Sequence, residues 1–438
     1  MNIDRKQFIG GFAAVATSAT LPAGGEVRGK REEVRGKRED PAVKYAYRPL
    51  IAHDAPPRNR RPYAGLDWTK CRQIRTTSHG HCENQAKLDE YLKKGFEFLT
   101  ISNYYPSAPA YPGGKITKYH YHFNAKWPIM VNGEPKEGPF DWNKIIGPVK
   151  DKIDPKYLAD FPFDPKNDGP LFPNWPKGML EAPNAEHHSF RMDDGEIDPY
   201  IHLNGLGSFY CSGNIDKYKR YGTYRLGYGA GTGEHWRTSM DRMIKALMFK
   251  DGGGVTINHP SWSGLKRDLF LEMLDHDQRV LGVEILEEGW KDNSERYWDW
   301  ALATGRQCFG FFVPDHGIER RDCGANVLVV PEANAHECLK AYRQGNFYGS
   351  LHGVGELKFT NIAFDGKTVT ASTDKPARFE VKTAMGVVKE CEGVSVEWTV
   401  PSGLYFDNGP KMNVFARVKA FATDGSEEII WSQPFMLT

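Results

Sequence analysis

From residue 72 onward the sequence switches repeatedly between runs that read as strands and runs that read as helices, and this alternation limits the possible fold more than any other feature. RQIRTTS reads as a strand; Asn84 then caps a helix carrying Leu88, Tyr91 and Leu92 on one face, Gly95 closes it, and FEFLTIS is the next strand. A βα unit of this kind returns the chain to a parallel strand. The pattern resumes with a helix bearing Met240, Met243, Ile244 and Leu247 before GVTIN. Then come VLGVEIL, a helix through Tyr297 and Trp300 to Gly305, QCFGFFV, NVLVVP and a helix from Asn334 to Gly345. Such alternation predicts an α/β fold, either a parallel barrel or a doubly wound sheet.

Two stretches break the pattern. Residues 104–183 are rich in Pro, Gly and aromatic side chains, and they carry an HxH at His120 and His122 outside any strand-then-helix setting. Those two histidines read as surface packing, and the stretch as a long insertion over the mouth of the barrel expected at 46–352. After Ser350 short alternating runs take over, KTVTAS, RFEVKT, VSVEWTV and VFARVKAF, separated by DGK, TDKP and TDGS. They predict a small antiparallel β-sandwich over 353–438 that braces the barrel or binds sugar.

Residues 1–25 place Arg5 and Lys6 before a weakly apolar run from Phe8 to Leu21 and small residues near Ala23 and Gly24, the pattern of an export signal; DRKQFIG is close to a twin-arginine motif. VRGKREEVRGKRED repeats a seven-residue unit without an apolar seam, so 26–45 reads as a charged, solvated linker. The expectation is an exported protein, periplasmic or extracellular, soluble when mature because no later run is long and apolar enough to span a bilayer. A net charge of +1 gives no field to gather nucleic acid or a membrane surface. The seven cysteines, Cys71, Cys82, Cys211, Cys308, Cys323, Cys338 and Cys391, are widely spaced with no CxxC and form neither a disulfide framework nor a zinc ribbon. Cys82, beside His81, reads as a small buried residue rather than a soft ligand. The 13% aromatic content fits a large core or a cleft for an organic ligand or sugar.

The chemistry-bearing residues gather at strand ends. His79 and His81 close the first strand, and two imidazoles two residues apart can turn toward one point, where neutral imidazole serves as a common ligand for zinc and related metals. Glu186 lies in NAEHHSF, His202 in IHLNGLG, His259 in TINHPSW, and Asp315 with His316 in FGFFVPDHG. In a βα barrel the C-terminal strand ends form one face, where catalytic groups collect.

This order of segments resembles the PHP family, named for polymerase and histidinol phosphatase, over roughly residues 72–350. The likeness is carried by the HxH, the Glu186 strand, the histidine before NGLG, the HP dipeptide after GGGVTIN, the GVE strand, Asp315 and the closing AYRQGNFYGS. The C-terminal run with its IIWSQPF ending looks like the exported two-domain branch related to carbaryl hydrolases. The resemblance implies a distorted seven-stranded βα (TIM-like) barrel with a C-terminal antiparallel β-sandwich, and hydrolysis dependent on one or two divalent ions (Zn, Mn or Fe). It puts His79, His81, Glu186 and Asp315 at one metal and Glu186, His202 and His259 at a second. Where the family supplies further ligands this chain has Ala86, Asn103 with Tyr104, and Gly317, so a third metal is not expected unless His316 replaces the missing histidine.

A metal bound by neutral histidine and carboxylate activates water near neutral pH, which accords with hydrolysis. Phosphoester hydrolysis leads, because that is the commoner activity of the resembling family. An ester or carbamate hydrolase is the alternative, and a glycan-binding protein that has lost catalysis is a third. His187, His188, Tyr104 and His316 are the candidate proton donors or oxyanion partners, with a small-molecule or sugar-like substrate.

Overall fold

The computed structural model describes residues 47–103, 111–116, 129–131, 134–136, 169–210, 234–287, 292–351, 357–401 and 414–437. The predicted export signal and linker lie outside these residues, as do Tyr104, His120, His122 and most of the insertion. The fold is mixed α/β, dominated by two large sheets with few helices among the described residues.

In chain order the strands begin β1 (Arg72–Thr76), β2 (Phe98–Leu99), β3 (Ile129–Val131), β4 (Glu134–Lys136), β5 (Leu180–Glu181), β6 (Glu186–Arg191) and β7 (Ile197–Leu206). They continue as β8 (Gly254–Ile257), β9 (Val280–Glu287), β10 (Asp292–Asn293), β11 (Phe309–Val313), β12 (Gly324–Val330) and β13 (Phe347–Leu351). The last are β14 (Phe359–Phe364), β15 (Thr368–Thr383), β16 (Gly386–Thr399), β17 (Phe415–Ala422), β18 (Ile429–Trp431) and β19 (Phe435–Met436). The α-helices are α1 (Gln85–Lys93), α2 (Trp236–Lys245), α3 (Pro260–Ser263), α4 (Arg267–Asp275), α5 (Glu295–Ala303) and α6 (Ala335–Gln344).

Helix ends follow the local chemistry read from the sequence. The Asn84 side chain accepts from Lys87 N and starts α1, which buries Leu88 and Tyr91; Asn334 does the same for α6 through Glu337 N, and Gly345, at φ 72°, ends it. Helix α2 turns Trp236, Met240, Met243 and Ile244 into the core.

Among the described residues the strands do not form one closed sheet. The larger sheet runs β14-β15-β17-β18-β13-β12-β1-β2-β5, and the smaller β10-β9-β8-β7-β6 with β11 against β9. Both are mixed: β1, β2 and β5 are parallel, as are β8, β9 and β11, but β12 meets β1 antiparallel and β7 meets both β6 and β8 antiparallel. The antiparallel turn has a local cause. Asp194 and Gly195 (φ 82°) form a tight reversal, closed by Met192 N to Glu196 O at 2.8 Å, so the chain folds straight back from β6 into β7 with no crossover helix. Short links join the two sheets: Glu186 N donates to Ser102 O (3.1 Å), and Gly80 and Asp315 form a parallel bridge.

The C-terminal strands continue the larger sheet, because β18 pairs with β13 over Gly349–Leu351. The expected turn at TDKP is absent: β15 is one 16-residue strand, and the register shift between Ser372 and Ala377 absorbs those residues without a reversal. Described parts of the insertion pack near the HxH, with Ile116, Leu171 and Phe172 in one apolar cluster with Cys82, Leu88 and Tyr91. The Cys82 thiol is buried and pushed upward by that burial, as befits a packing residue.

Candidate metal centre

The HxH segment leaves β1 already shaped. Thr77 Oγ1 accepts from His79 N and donates to His79 O at 2.6 Å, while Asn184 and Asn204 both donate to Ser78 O. Gly80 is required by close approach: a Cβ there would lie 2.2 Å from the Tyr91 hydroxyl, and Tyr91 is fully buried. Asn103 clamps the next residue, accepting from Cys82 N at 2.9 Å and donating to Cys82 O at 2.8 Å. That position therefore serves the backbone.

Four side chains from three segments converge beyond this loop. His79 Nε2 stands 3.3 Å from Glu186 Oε2 and 3.0 Å from Asp315 Oδ1; His81 Nε2 stands 3.0 Å and 3.1 Å from the same two oxygens, and the two nitrogens are 3.3 Å apart. The other oxygen of Glu186 faces a second pair, 2.6 Å from His202 Nδ1 and 3.3 Å from His259 Nε2. Glu186 thus stands between two donor groups, one oxygen to each. His79, His81, Glu186, His202 and His259 are all buried, as is Asp315 at 6% exposure.

Two of these donors hold unusual backbone. His259 (φ 23°) and Asp315 (φ 47°) lie in the left-handed region that disfavours side chains. The neighbours hold them there: His259 N donates to Glu284 Oε2 at 2.9 Å, and His81 N donates to Asp315 O at 3.0 Å.

These residues fit a divalent ion on the chemistry of the donors. Glu284 Oε1 lies 2.9 Å from His79 Nδ1, so that nitrogen carries the proton and Nε2 presents a lone pair. That lone pair faces two carboxylate oxygens, and three electron-rich atoms converge stably only around positive charge. Donors sharing a tetrahedral ion at about 2.0–2.2 Å stand about 3.3–3.6 Å apart, within a few tenths of an ångström of this cage. The cage is negatively charged. Burial opposes charge, yet Glu186, Glu284 and Asp315 hold the His79 imidazole well above its ordinary value; burial would likewise raise Glu186, yet His79 and His202 hold it well below the usual carboxylate range.

The other sequence candidates fall in different places. His188 pairs across the hairpin with His202, their rings 5.1 Å apart. Strand alternation sends His187 to the opposite face, where it stacks on Tyr210 (5.0 Å, 25°) and burial pushes it down to about 3. His316 is 40% exposed, lies flat on His81 (3.8 Å, 6°), and approaches Glu83 at 3.7 Å. Tyr104 is outside the described residues. Two residues carried no assignment in the sequence reading. Glu284 sits in the quoted GVE strand, and Glu83 stands two places after His81, where burial would raise its carboxyl but His316, His81 and Lys87 bring it down to about 2. Together His81, Glu83 and His316 form another group able to hold a cation.

No family model and no curated protein matches this chain. Among solved structures, it is similar to a two-domain protein from Bacteroides vulgatus described as containing a predicted PHP-like metal-dependent phosphoesterase. The likeness has 14% identity and a TM-score of 0.34, covering 84% of this chain and 95% of that one. Similarity at that level transfers neither fold nor function, and the metal-binding character of the centre stands on its donors.

Proposed function

We propose that the chain is a metal-dependent hydrolase of PHP type acting on phosphoesters in an exported location, and that the segments around its centre make a distorted seven-stranded barrel. The observation that carries this reading is Glu186, whose two oxygens serve two separate sets of donors. His79, His81, Glu186 and Asp315 would hold one divalent ion and Glu186, His202 and His259 a second, and the ions would supply Lewis acidity to activate water and offset charge on the phosphoryl group. Glu284 keeps His79 in the tautomer that can bind metal. Water gives up a proton to solvent and attacks phosphorus, the P–O ester bond breaks, and the leaving oxygen takes a proton, a role for which the half-exposed His316, 3.9 Å from Asp315, is the candidate. Tyr104 and His188 remain candidates for the same task. The barrel reading is supported by the Glu186–Ser102 bond and the Gly80–Asp315 bridge, which link the two sheets.

A second reading, hydrolysis of a carboxyl ester or carbamate, is favoured by Trp262. This residue is 43% exposed, with its ring 5.0 Å from His259 and 5.4 Å from His202, and it offers an apolar face to an organic group. The insertion is the proposed lid over this mouth, since its described ends root beside α1.

The test strips the protein of metal, reloads it with Zn, Mn or Fe, and measures turnover of phosphate and carboxyl esters in the wild type and in E186Q. Metal-dependent phosphoester turnover lost in E186Q is expected; turnover of carboxyl esters alone selects the second reading, and metal binding without turnover selects a degenerate binding protein. Shortening the insertion within 117–168 is expected to change preference among esters while leaving metal content unchanged.

A further inference from the structure

Away from this centre, a second group of histidine and carboxylate side chains is gathered where the segment from Tyr47 to His53 crosses helices α2 and α4. Asp241, on α2, is completely buried, and among the described residues its ion-pair partners are the two histidines His53 and His276 rather than any lysine or arginine. Nearby guanidinium groups are already matched: Arg279 makes a two-pronged pair with Asp277, and Arg237 is taken by Asp193 and Glu272. A buried carboxylate without a fixed cation calls for one.

The hydrogen-bond inventory shows where it would sit. Asp241 Oδ2 accepts from Tyr47 Oη at 2.7 Å and from Leu50 N at 2.8 Å. Burial and the Asp241 hydrogen bond both raise the Tyr47 phenol, keeping its proton in place for that bond. His53 Nδ1 lies 3.0 Å from Asp277 Oδ2, so its proton is placed there and Nε2 presents a lone pair inward. Nε2 meets the Tyr47 oxygen at 3.0 Å, but the phenol has one proton and has given it to Asp241. With neutral histidines the cluster is therefore one positive charge short. The remaining inward atoms are Asp241 Oδ1, His53 Nε2 and His276 Nε2; oxygen and nitrogen lie 2.8 Å apart on the His276 side and 3.7 Å on the His53 side.

We propose that His53, Asp241 and His276 bind a zinc-class divalent cation at a site separate from the hydrolytic centre. With an ion on those three atoms, every other bond persists unchanged: Tyr47 and Leu50 on Asp241 Oδ2, and Asp277 on His53 Nδ1. Two imidazoles and one carboxylate suit zinc, and the partial exposure of His53, at 28%, leaves a side for water to complete the coordination. The site's role is structural. One ligand comes from the Tyr47–His53 segment and two from the helical body, so the ion pins that segment in place. Asp277 is a positioning residue that orients His53.

Zinc titration of the metal-stripped wild type, H53A and D277N tests this, with chymotrypsin cleavage after the exposed Leu50 as a readout independent of hydrolysis. The wild type should bind one more equivalent of zinc than H53A, D277N should bind that equivalent tenfold to a hundredfold more weakly, and zinc should slow cleavage at Leu50 at least tenfold in the wild type only. Equal stoichiometry in wild type and H53A, with zinc-independent cleavage, would overturn the proposal and leave a clasp held by a protonated His53. Anomalous scattering at the zinc edge in wild-type crystals decides the matter if H53A is poorly folded: a peak among the three side chains supports the site, and its absence sinks it.

Discussion

At the scale of single residues the centre depends as much on the atoms behind the donors as on the donors. Glu284 holds both the tautomer of His79 and the strained backbone of His259, through one oxygen each. E284Q should keep the fold but weaken metal binding by about 10–100-fold, since an amide can present its NH₂ to His79 and reverse the tautomer; a competitive chelator titration checks this, and unchanged affinity would show that His79 is oriented by packing alone. The donors themselves were legible because strand ends mark one face of the expected barrel. Glu284 was not. Its role comes from two hydrogen bonds across the fold, to residues 205 and 25 positions away, which no local spacing encodes. Asn103 was legible as a departure from the family pattern, but its two bonds to Cys82 emerge only when β1 and β2 lie side by side.

Among the secondary elements, α5 packs on β9 of the smaller sheet and is ion-paired to β15 and β17 of the larger. Glu295 and Asp299 on α5 meet Arg417 of β17 and Lys382 of β15, and the Arg417 guanidinium lies 4.1 Å from the Trp298 ring centroid. Burial would raise Glu295, but Arg417, Lys382 and Lys419 outweigh it and hold its carboxyl below the ordinary value. A carboxylate with a depressed folded value adds stability above its unfolded value, near 4.3, and loses it as pH falls through the folded one. E295Q should therefore cost about 1–3 kcal/mol at pH 7, with the difference from wild type shrinking as pH falls below about 4.3 and gone only below the depressed folded value. Melting curves across pH 3–8 check it; a constant difference would locate the loss in packing instead. Element types were readable where period and caps agreed, as in α1 and α6. The β6–β7 hairpin was not read from the sequence, although Asp194-Gly195 lies in the three-residue reversal between Met192 and Glu196. In β15 the TDKP signal misled: the cross-strand ladders to β16 and β17 on either side outweigh the local preference for a turn.

At the scale of the whole molecule, described contacts tie the C-terminal strands to the rest. Phe312 of β11 stacks on Trp431 at 4.8 Å, and the Gln433 side chain both donates to Gly310 O and accepts from Gly310 N, each at 2.8 Å, occupying the place of a neighbouring strand. A chain ended after Leu351 would lose these contacts and expose the edge of β13, so it should be recovered as aggregate rather than as a folded, metal-binding fragment. Sedimentation and circular dichroism of that fragment check this, and a monomeric fragment with native-like helix and strand signals would contradict it.

The amide of Gln433 reaches the same strand that carries Asp315 out to the metal, and this gives the distant strands a share in whatever binds there. Ligand binding stabilises every region that opens only by global unfolding, by an amount set by concentration and affinity rather than by distance. Saturating metal should therefore slow amide hydrogen exchange in β17 and β18 as strongly as in β11 and β12. Protection confined to the strands around the HxH would mean that the sheet, although continuous, opens in pieces.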